Sequence, residues 1–346
     1  MTDPSGINRR IVLAGRPQGR PELNSFRLEE APIPEPGPGE MRLRTLWLSL
    51  DPYMRGRMSD APSYAAPVAI GGVMIGGTVA RVELSRHPAF KAGDLVLSMN
   101  GWQDYAVSDG RDVVKLPANA PHPTHALGLL GMPGVTAYVG LLDYGKPQAG
   151  ETVAVAAATG AVGSLVGQIA KLKGCRVVGI AGGAAKCAWA VQELGFDACV
   201  DHRSPDLDSA LAAACPAGID VYFENVGGRV FRAVLPLLND HSRIPVCGLI
   251  SLYNDTAKPS DGESALAFMR RILIRRITVR GFIVSDSLGE RGPEAQRTLD
   301  GWHRSGRIKY REDIVRGLEN APGAFIGLLE GRNFGKLIVD LGAAQA

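Results

Sequence analysis

The chain has 346 residues, 45% hydrophobic and 21% charged, which is enough for about two domains with sizeable cores. Its 38 basic and 35 acidic residues leave a net charge of +3, too balanced to point to nucleic acid or an anionic membrane as a partner. The first ten residues carry Asp3, Pro4 and Asn8 and lack the apolar core of a signal peptide. The most apolar stretch, Ala154–Ala170, is broken by Thr159, Ser164, Gln168 and glycines, so it does not read as a membrane span. Five cysteines, all in the second half and without a Cys-x-x-Cys pair, read as reduced thiols of a cytoplasmic protein.

Two textures follow one another. Residues 1 to about 125 are rich in short alternating segments and turns. The run Ala31-Pro-Ile-Pro-Glu-Pro-Gly-Pro-Gly-Glu40 is a rigid connector, because proline cannot join a central ladder. Strands are expected within Met41–Leu50, Gly71–Val82 and Asp94–Met99. From Thr152 onward, short Val/Ile/Ala-rich segments alternate with helix-length ones. Strands are expected at Thr152–Ala157, Arg176–Ala181, Ala198–Asp201, Asp220–Glu224, Arg243–Leu249 and Thr278–Val284. Helices fit between them at about Ala161–Lys173, Ala184–Leu194, Ser209–Ala214, Arg229–Leu238 and Ser264–Ile274. Such alternation implies βαβ units and a parallel sheet covered on both faces. Six strands match a dinucleotide fold. The tail, Ile308–Leu341, returns to short strands and suits a return to the first domain.

Ala158-Thr-Gly160-Ala161-Val162-Gly163 follows a strand and opens a helix, as a variant of the dinucleotide fingerprint. Gly160 would let backbone approach a pyrophosphate, and Gly163 would allow close packing of helix on strand. The phosphates would sit at the helix N-terminus, where free N–H groups and the dipole favour anions. The plainer reading is a glycine-rich turn. An NAD site expects a carboxylate near the end of the next strand for the ribose 2′-hydroxyl. Here the segment is Ala181-Gly182-Gly-Ala-Ala-Lys186, with a cation and no acid. A 2′-phosphate would be attracted by Lys186, with Arg203 as a second charge, which favours NADPH. The competing reading of Lys186 is a solvated helix residue. His87, His122 and His125 form no closed ligand set with any thiolate, so no metal site is expected. Gly-x-Ser-x-Gly signals are also absent.

Five segments occur in order: Leu50-Asp-Pro-Tyr53-Met-Arg55, Gly131-Met-Pro-Gly-Val-Thr-Ala-Tyr138, Ala161-Val-Gly-Ser-Leu-Val-Gly-Gln-Ile-Ala-Lys-Leu-Lys-Gly174, Phe223-Glu-Asn225-Val-Gly-Gly228 and Asn333-Phe-Gly-Lys336. Together they resemble the zinc-free branch of medium-chain dehydrogenases/reductases. That branch includes prostaglandin and leukotriene B4 reductases, plant alkenal double-bond reductases and bacterial curcumin reductases. The resemblance spans nearly the whole chain. It implies an α/β fold: a GroES-like β-rich substrate domain (1–128 and 299–346) with an inserted Rossmann doubly wound parallel sheet binding NADP(H) (129–298). It implies that Gly160 to Gly163 bind pyrophosphate, that Gly182, Lys186 and Arg203 serve the 2′-phosphate end, and that His202 stands where relatives often have a tyrosine. Asn225 and the segment Cys247-Gly248-Leu-Ile-Ser251-Leu-Tyr253 would line the cofactor. Phe282, Val284 and Asn333 would meet its nicotinamide end.

The chemistry so implied is hydride transfer from NADPH to the β-carbon of a small apolar enone or enal. The Tyr253 hydroxyl would stabilise the developing enolate, and Tyr53 is a second polar candidate that reads equally well as a structural tyrosine. Relatives pair their Rossmann sheets edge to edge, so a homodimer through Thr278–Val284 is expected. One rival is an NADPH quinone reductase on the same fold. Another, from a different class, is a non-catalytic NADPH-binding or nucleic-acid-binding protein, for which Arg270, Arg271, Arg275, Arg276 and Arg280 form the basic cluster. A solvated or subunit-contact surface explains those arginines better, because stacking aromatics are lacking around them.

Overall fold

The computed structural model describes residues 6–255 and 262–342, so Asp3 and Pro4 lie outside the described residues. In chain order it runs β1 (Ile7–Leu13), β2 (Phe26–Pro32), β3 (Met41–Ser49), α1 (Met54–Arg57), β4 (Thr78–Ser85), β5 (Leu95–Ser98), β6 (Tyr105–Ser108), β7 (Val114–Lys115) and α2 (Met132–Val139). It continues through β8 (Thr152–Ala156), α3 (Gly163–Leu172), β9 (Arg176–Ala181), α4 (Ala184–Gln192), β10 (Ala198–Asp201), α5 (Leu207–Ala214), β11 (Ile219–Phe223), α6 (Gly228–Val234), β12 (Leu238–Val246), α7 (Gly262–Arg275) and β13 (Thr278–Gly281). Last come α8 (Leu288–Arg304), β14 (Glu312–Arg316), α9 (Ala321–Leu329) and β15 (Lys336–Asp340). The chain divides into two compact units, one holding residues up to Leu127 and from Glu312 onward, the other Gly128–Arg311. The sequence reading drew the second boundary at 298/299, inside α8. The structure keeps α8 whole and divides the chain after Arg311.

The inserted unit is a parallel six-stranded sheet in the order β10-β9-β8-β11-β12-β13. Strand order reverses beside β8, which puts the crevice for a ligand at the carboxyl ends of β8 and its neighbours. β8 is buried at every residue, as expected for a central strand with both faces covered. Helix α3 packs close on that sheet because Gly167 leaves room: a methyl there would stand 1.9 Å from the Phe196 ring. Gln168, buried in α3, donates to Lys309 O (2.9 Å) and accepts from Lys309 N (2.7 Å), which pins the end of the unit to the helix.

Helix α8 was not expected. Gly289, Gly292 and Pro293 in its first two turns suggest loop by local propensity. Tertiary pairs hold it: Arg291 donates from Nε and Nη2 to Asp143 (2.8 Å each), and Tyr138 donates to Glu294 (3.0 Å). Strand β13 ends at Gly281, three residues short of the expected span. Likewise, the tail expected as short strands contains α9 between β14 and β15.

The other unit has a β1/β2 hairpin and a seven-stranded sheet ordered β14-β15-β3-β4-β5-β7, with β6 on β3. Buried Trp102 stacks on Phe26 at 5.6 Å and meets Phe325 edge-on at 5.6 Å. Two of the motifs meet here. The Lys336 ammonium, 1% exposed, donates to Leu50 O (2.7 Å) and Asp51 Oδ1 (2.9 Å). The Ser49 hydroxyl donates to the same carboxylate. Removing one partner of a buried pair strands the other charge, at about 3–5 kcal/mol. Lys336→Met should therefore lower unfolding free energy by about that much in urea titration. A loss under about 1 kcal/mol would show that the pair is not structural.

Candidate active site

The first turn of the site is the β8–α3 junction. Ala157 takes a left-handed conformation (φ 51°), which swings the chain out of the strand. A Cβ on Gly163 would lie 2.3 Å from Ala157 O, so only glycine lets the helix start this close to the strand. At Gly160 the same construction meets only Ala157 O, at 3.2 Å, leaving that backbone open on its outer side. The amides of Ala161, Val162 and Gly163 stand at the start of a ten-residue helix, where backbone N–H groups lack intrahelical acceptors.

The second group lies at the ends of β9 and β10. A methyl on Gly182 would come within 2.9 Å of His202 Nε2 and 3.1 Å of Arg203 Nε, so both side chains lie across that glycine. Asp201 Oδ1 accepts the amides of Gly183 and Arg203 (2.9 Å each), tying the two loops together. Those two bonds hold its carboxyl below the usual range. Arg229 closes the loop by donating to His202 O (3.2 Å) and Ser204 O (2.7 Å). Lys186, in the first turn of α4, is buried with 9% exposure, which rules out the solvated reading. Burial, and then the neighbouring Arg203 charge, lower the His202 pKa from its ordinary 6.5, so the ring is neutral at pH 7.

The third group joins the ends of β11 and β12. Glu224 Oε1 accepts the amides of Val226 (2.6 Å) and Gly227 (2.8 Å) and the Tyr222 hydroxyl (3.0 Å). Burial nevertheless raises its pKa. Asn225 Nδ2 donates to Ala156 O (2.8 Å), so it caps the last carbonyl of β8. The next loop is fastened to this one. Cys247 N and Gly248 N donate to Glu224 O, and Ser251 donates from its amide (3.0 Å) and hydroxyl (2.6 Å) to Val226 O. The Tyr253 hydroxyl sits beside Gly248, 3.3 Å from where a Cβ would be. Burial and the Glu224 charge push the Cys247 thiol up to about 12, so it is not a nucleophile at neutral pH.

The structure thus brings Gly160, Ala161, Val162, Gly163, Gly182, Lys186, His202, Arg203, Asn225, Cys247, Gly248, Ser251 and Tyr253 to the carboxyl edge of one sheet. Phe282 and Val284 follow β13 at its far end. The Phe282 ring is packed inward, 5.2 Å from Tyr144 and 6.3 Å from Phe223, and Gly140 makes room for it. Tyr53 and Asn333 belong to the other unit. Tyr53 precedes α1, its pKa raised by burial and then by Asp51, while Asn333 Nδ2 donates to Gly335 O (2.8 Å). Glu224, Asp201 and Arg229 were not singled out from sequence. Asp201 and Glu224 stand at or just after strand ends, and Arg229 lies in the first turn of α6.

Among the described residues, no three His, Cys, Asp or Glu side chains are grouped to hold a metal. His122 and His125 stack on each other at 4.8 Å. The arginine cluster is partly engaged: Arg271 donates to Leu235 O, Arg275 and Arg276 pair with Asp240, and Arg280 lies over Tyr144. No helix among the described residues is long and apolar enough to cross a membrane.

Two family models match, "N-terminal domain of oxidoreductase" over residues 9–116 and "Zinc-binding dehydrogenase" over 161–300. The chain belongs to the medium-chain dehydrogenase/reductase family, in the branch of the curcumin and prostaglandin reductases. It is 58% identical to an NADPH-dependent curcumin reductase of Escherichia coli, over 96% of each chain. It is 42% identical to prostaglandin reductase 1 of Bos taurus, over 93% of this chain and 95% of that one. The crystal structure of CurA in complex with NADPH from Vibrio vulnificus matches with a TM-score of 0.94 and 57% identity, over 96% of this chain and 98% of that one.

Proposed function

We propose that this protein uses NADPH to reduce the carbon–carbon double bond of α,β-unsaturated ketones and aldehydes. The observation that carries the reading is the carboxyl edge of the parallel sheet. There a glycine-cleared helix start, a cationic group around Gly182 and a tyrosine hydroxyl beside Gly248 lie beyond the ends of β8, of β9 and β10, and of β12. The curcumin and prostaglandin reductases among its relatives support the same chemistry.

The residues fit the dinucleotide. The Ala161–Gly163 amides would hold the pyrophosphate. Lys186 and Arg203 would hold the 2′-phosphate, with neutral His202 beside the adenosine. The one nearby acid, Asp201, directs its Oδ1 to two amides and leaves cations in the majority. When bound, NADPH supplies the hydride for the substrate β-carbon. The Tyr253 hydroxyl would donate a hydrogen bond to the carbonyl oxygen, where negative charge grows. Asn225 and Glu224 would keep that hydroxyl's loop in place. No metal is called for in this scheme.

A panel of enals, enones, quinones and alcohols, assayed with NADPH and with NADH, tests the reading. Enones and enals with NADPH should turn over fastest. Faster quinone turnover would replace it with the quinone reductase reading.

Lys186→Ala should raise the NADPH dissociation constant by an order of magnitude or more and leave NADH nearly unchanged. Losing a charged hydrogen bond costs roughly 1.5–3 kcal/mol. Equal losses for both cofactors would show that Lys186 is structural.

Tyr253→Phe removes only the hydroxyl. Hydride transfer to a simple enone, followed by rapid mixing, should slow roughly ten- to a thousand-fold, with NADPH affinity unchanged. Unchanged hydride transfer would mean that the ring merely packs.

We also propose a homodimer. Among the described residues β13 pairs with β12 alone, at the sheet edge, and all four of its residues are exposed. Leu266, Met269, Leu273 and Ile274 of α7 add exposed apolar surface. An open edge with such a surface invites pairing. Light scattering at micromolar concentration should return twice the chain mass, and Val279→Lys should return one. A monomer for the unaltered protein would contradict the proposal.

A further inference from the structure

Cys187 on α4 and Cys199 on the neighbouring strand β10 pack against the same apolar cluster, and a side-chain hydrogen bond links them. Cys199 faces Gly179 across the β9–β10 ladder, and its sulfur lies 3.0 Å from where a Gly179 Cβ would be. A side chain at residue 179 would displace it, so the glycine makes the sulfur's seat. The Cys187 sulfur receives hydrogen bonds from the Cys199 thiol and the Ala181 backbone. Both residues are half-buried. Donation from Cys199 lowers the pKa of Cys187 and so favours its thiolate, the form that reacts. The same bond and burial raise the pKa of Cys199, which leaves Cys187 as the attacking thiol. The other cysteines are raised as well. Cys175 donates to Gln148 O (3.3 Å), and burial pushes Cys215 up to about 11 and raises Cys175.

We propose that Cys187 and Cys199 are an oxidation site that closes to a disulfide and thereby weakens NADPH binding. The Cys187 thiolate attacks hydrogen peroxide, forming its sulfenic acid and releasing one water after proton uptake. The Cys199 sulfur then displaces the hydroxyl: the S–S bond forms, the S–O bond breaks, and the thiol proton leaves with that hydroxyl as a second water. Two thiols and one peroxide give one disulfide and two waters, and a dithiol reductant reverses the change.

The consequence follows from neighbours. Lys186 immediately precedes Cys187, and His202 and Arg203 lie just beyond Cys199 on the same strand end. A disulfide holds its sulfurs about 2 Å apart, so closing it draws the first turn of α4 toward β10. That shifts Lys186 against Arg203. This last step rests on the cofactor reading above, whereas the disulfide does not.

The full-length reduced protein is treated with hydrogen peroxide, blocked with an alkylating reagent and digested without reductant. A peptide pair joining Cys187 to Cys199 is expected, two hydrogens lighter and restored by dithiothreitol. Cys199→Ser should instead accumulate sulfenic acid at Cys187, and Cys187→Ser should give neither product. Oxidation should raise the NADPH dissociation constant about ten-fold, the loss of about one charged contact, and both serine variants should be insensitive. Independent alkylation of the two thiols after peroxide would overturn the site. A mapped disulfide with unchanged NADPH affinity would overturn the coupling. If the oxidised protein loses NADPH affinity but Lys186→Ala shows no cofactor selectivity, the 2′-phosphate assignment fails and the oxidation site stands.

Discussion

A parallel strand that ends inside a covered sheet leaves its last carbonyl and the next few amides without ladder partners, and each must be satisfied where little water reaches. The inserted unit meets this constraint with side chains from neighbouring strand ends. Asn225 donates to the last carbonyl of β8, Glu224 accepts two amides of its own loop, and Asp201 accepts one amide from the β9 loop and one from its own. The opposite edge follows the same rule. Asp220 accepts the first amide of β8 (2.8 Å), and Asp197 accepts Val177 N in β9 (2.6 Å). Backbone ends are thus tied laterally, strand to strand.

That tying shapes the candidate site. Because Asn225 holds the end of β8 and the Glu224 carbonyl holds the β12 loop, the turn at Ala157 and the loop with Gly248 and Tyr253 are positioned by a common set of bonds. Glycines stand where those loops approach closely. Gly163 lets α3 start against Ala157 O, while Gly227 and Gly228 leave room for the Ser251 hydroxyl. The proposed hydride transfer needs such rigidity, since a hydroxyl stabilises developing charge only when it is already aimed.

The alternation of apolar strands with helix-length segments located all six parallel strands, although β12 begins five residues before its expected start and β13 ends three residues early. The covered central strands are the ones with continuous apolar runs. The glycine spacing around Gly160 and Gly163 located the helix start for the same steric reason. What the residues hid was set by distant partners. Helix α8 depends on Asp143 and Tyr138, far away in sequence, and its own glycines and proline argue against a helix. The resemblance implies Phe282 at the nicotinamide end, and the close packing of its ring in the space left by Gly140 is a feature that the sequence does not display. Glu224 and Asp201 look like ordinary strand-end acids, and only their bonds to amides reveal what they do.

Charge at the two loop junctions is handled in opposite ways. Asp201 is half-buried, and its two amide bonds stabilise the ionised form, so it stays anionic beside Arg203. Glu224 is buried, and burial outweighs three hydrogen bonds to raise its pKa. Its second oxygen has no hydrogen-bond partner among the described residues. An uncompensated charge there would be costly, whereas a shared proton or the polar loop around it lowers that cost. The buried acid therefore serves as a structural acceptor near the place where hydride chemistry is proposed. Asp201, with its two bonds going to amides, leaves a positive balance where a 2′-phosphate is proposed to lie. A buried acid after β11 and cations after β9 and β10 thus set two different electrostatic surroundings along one sheet edge.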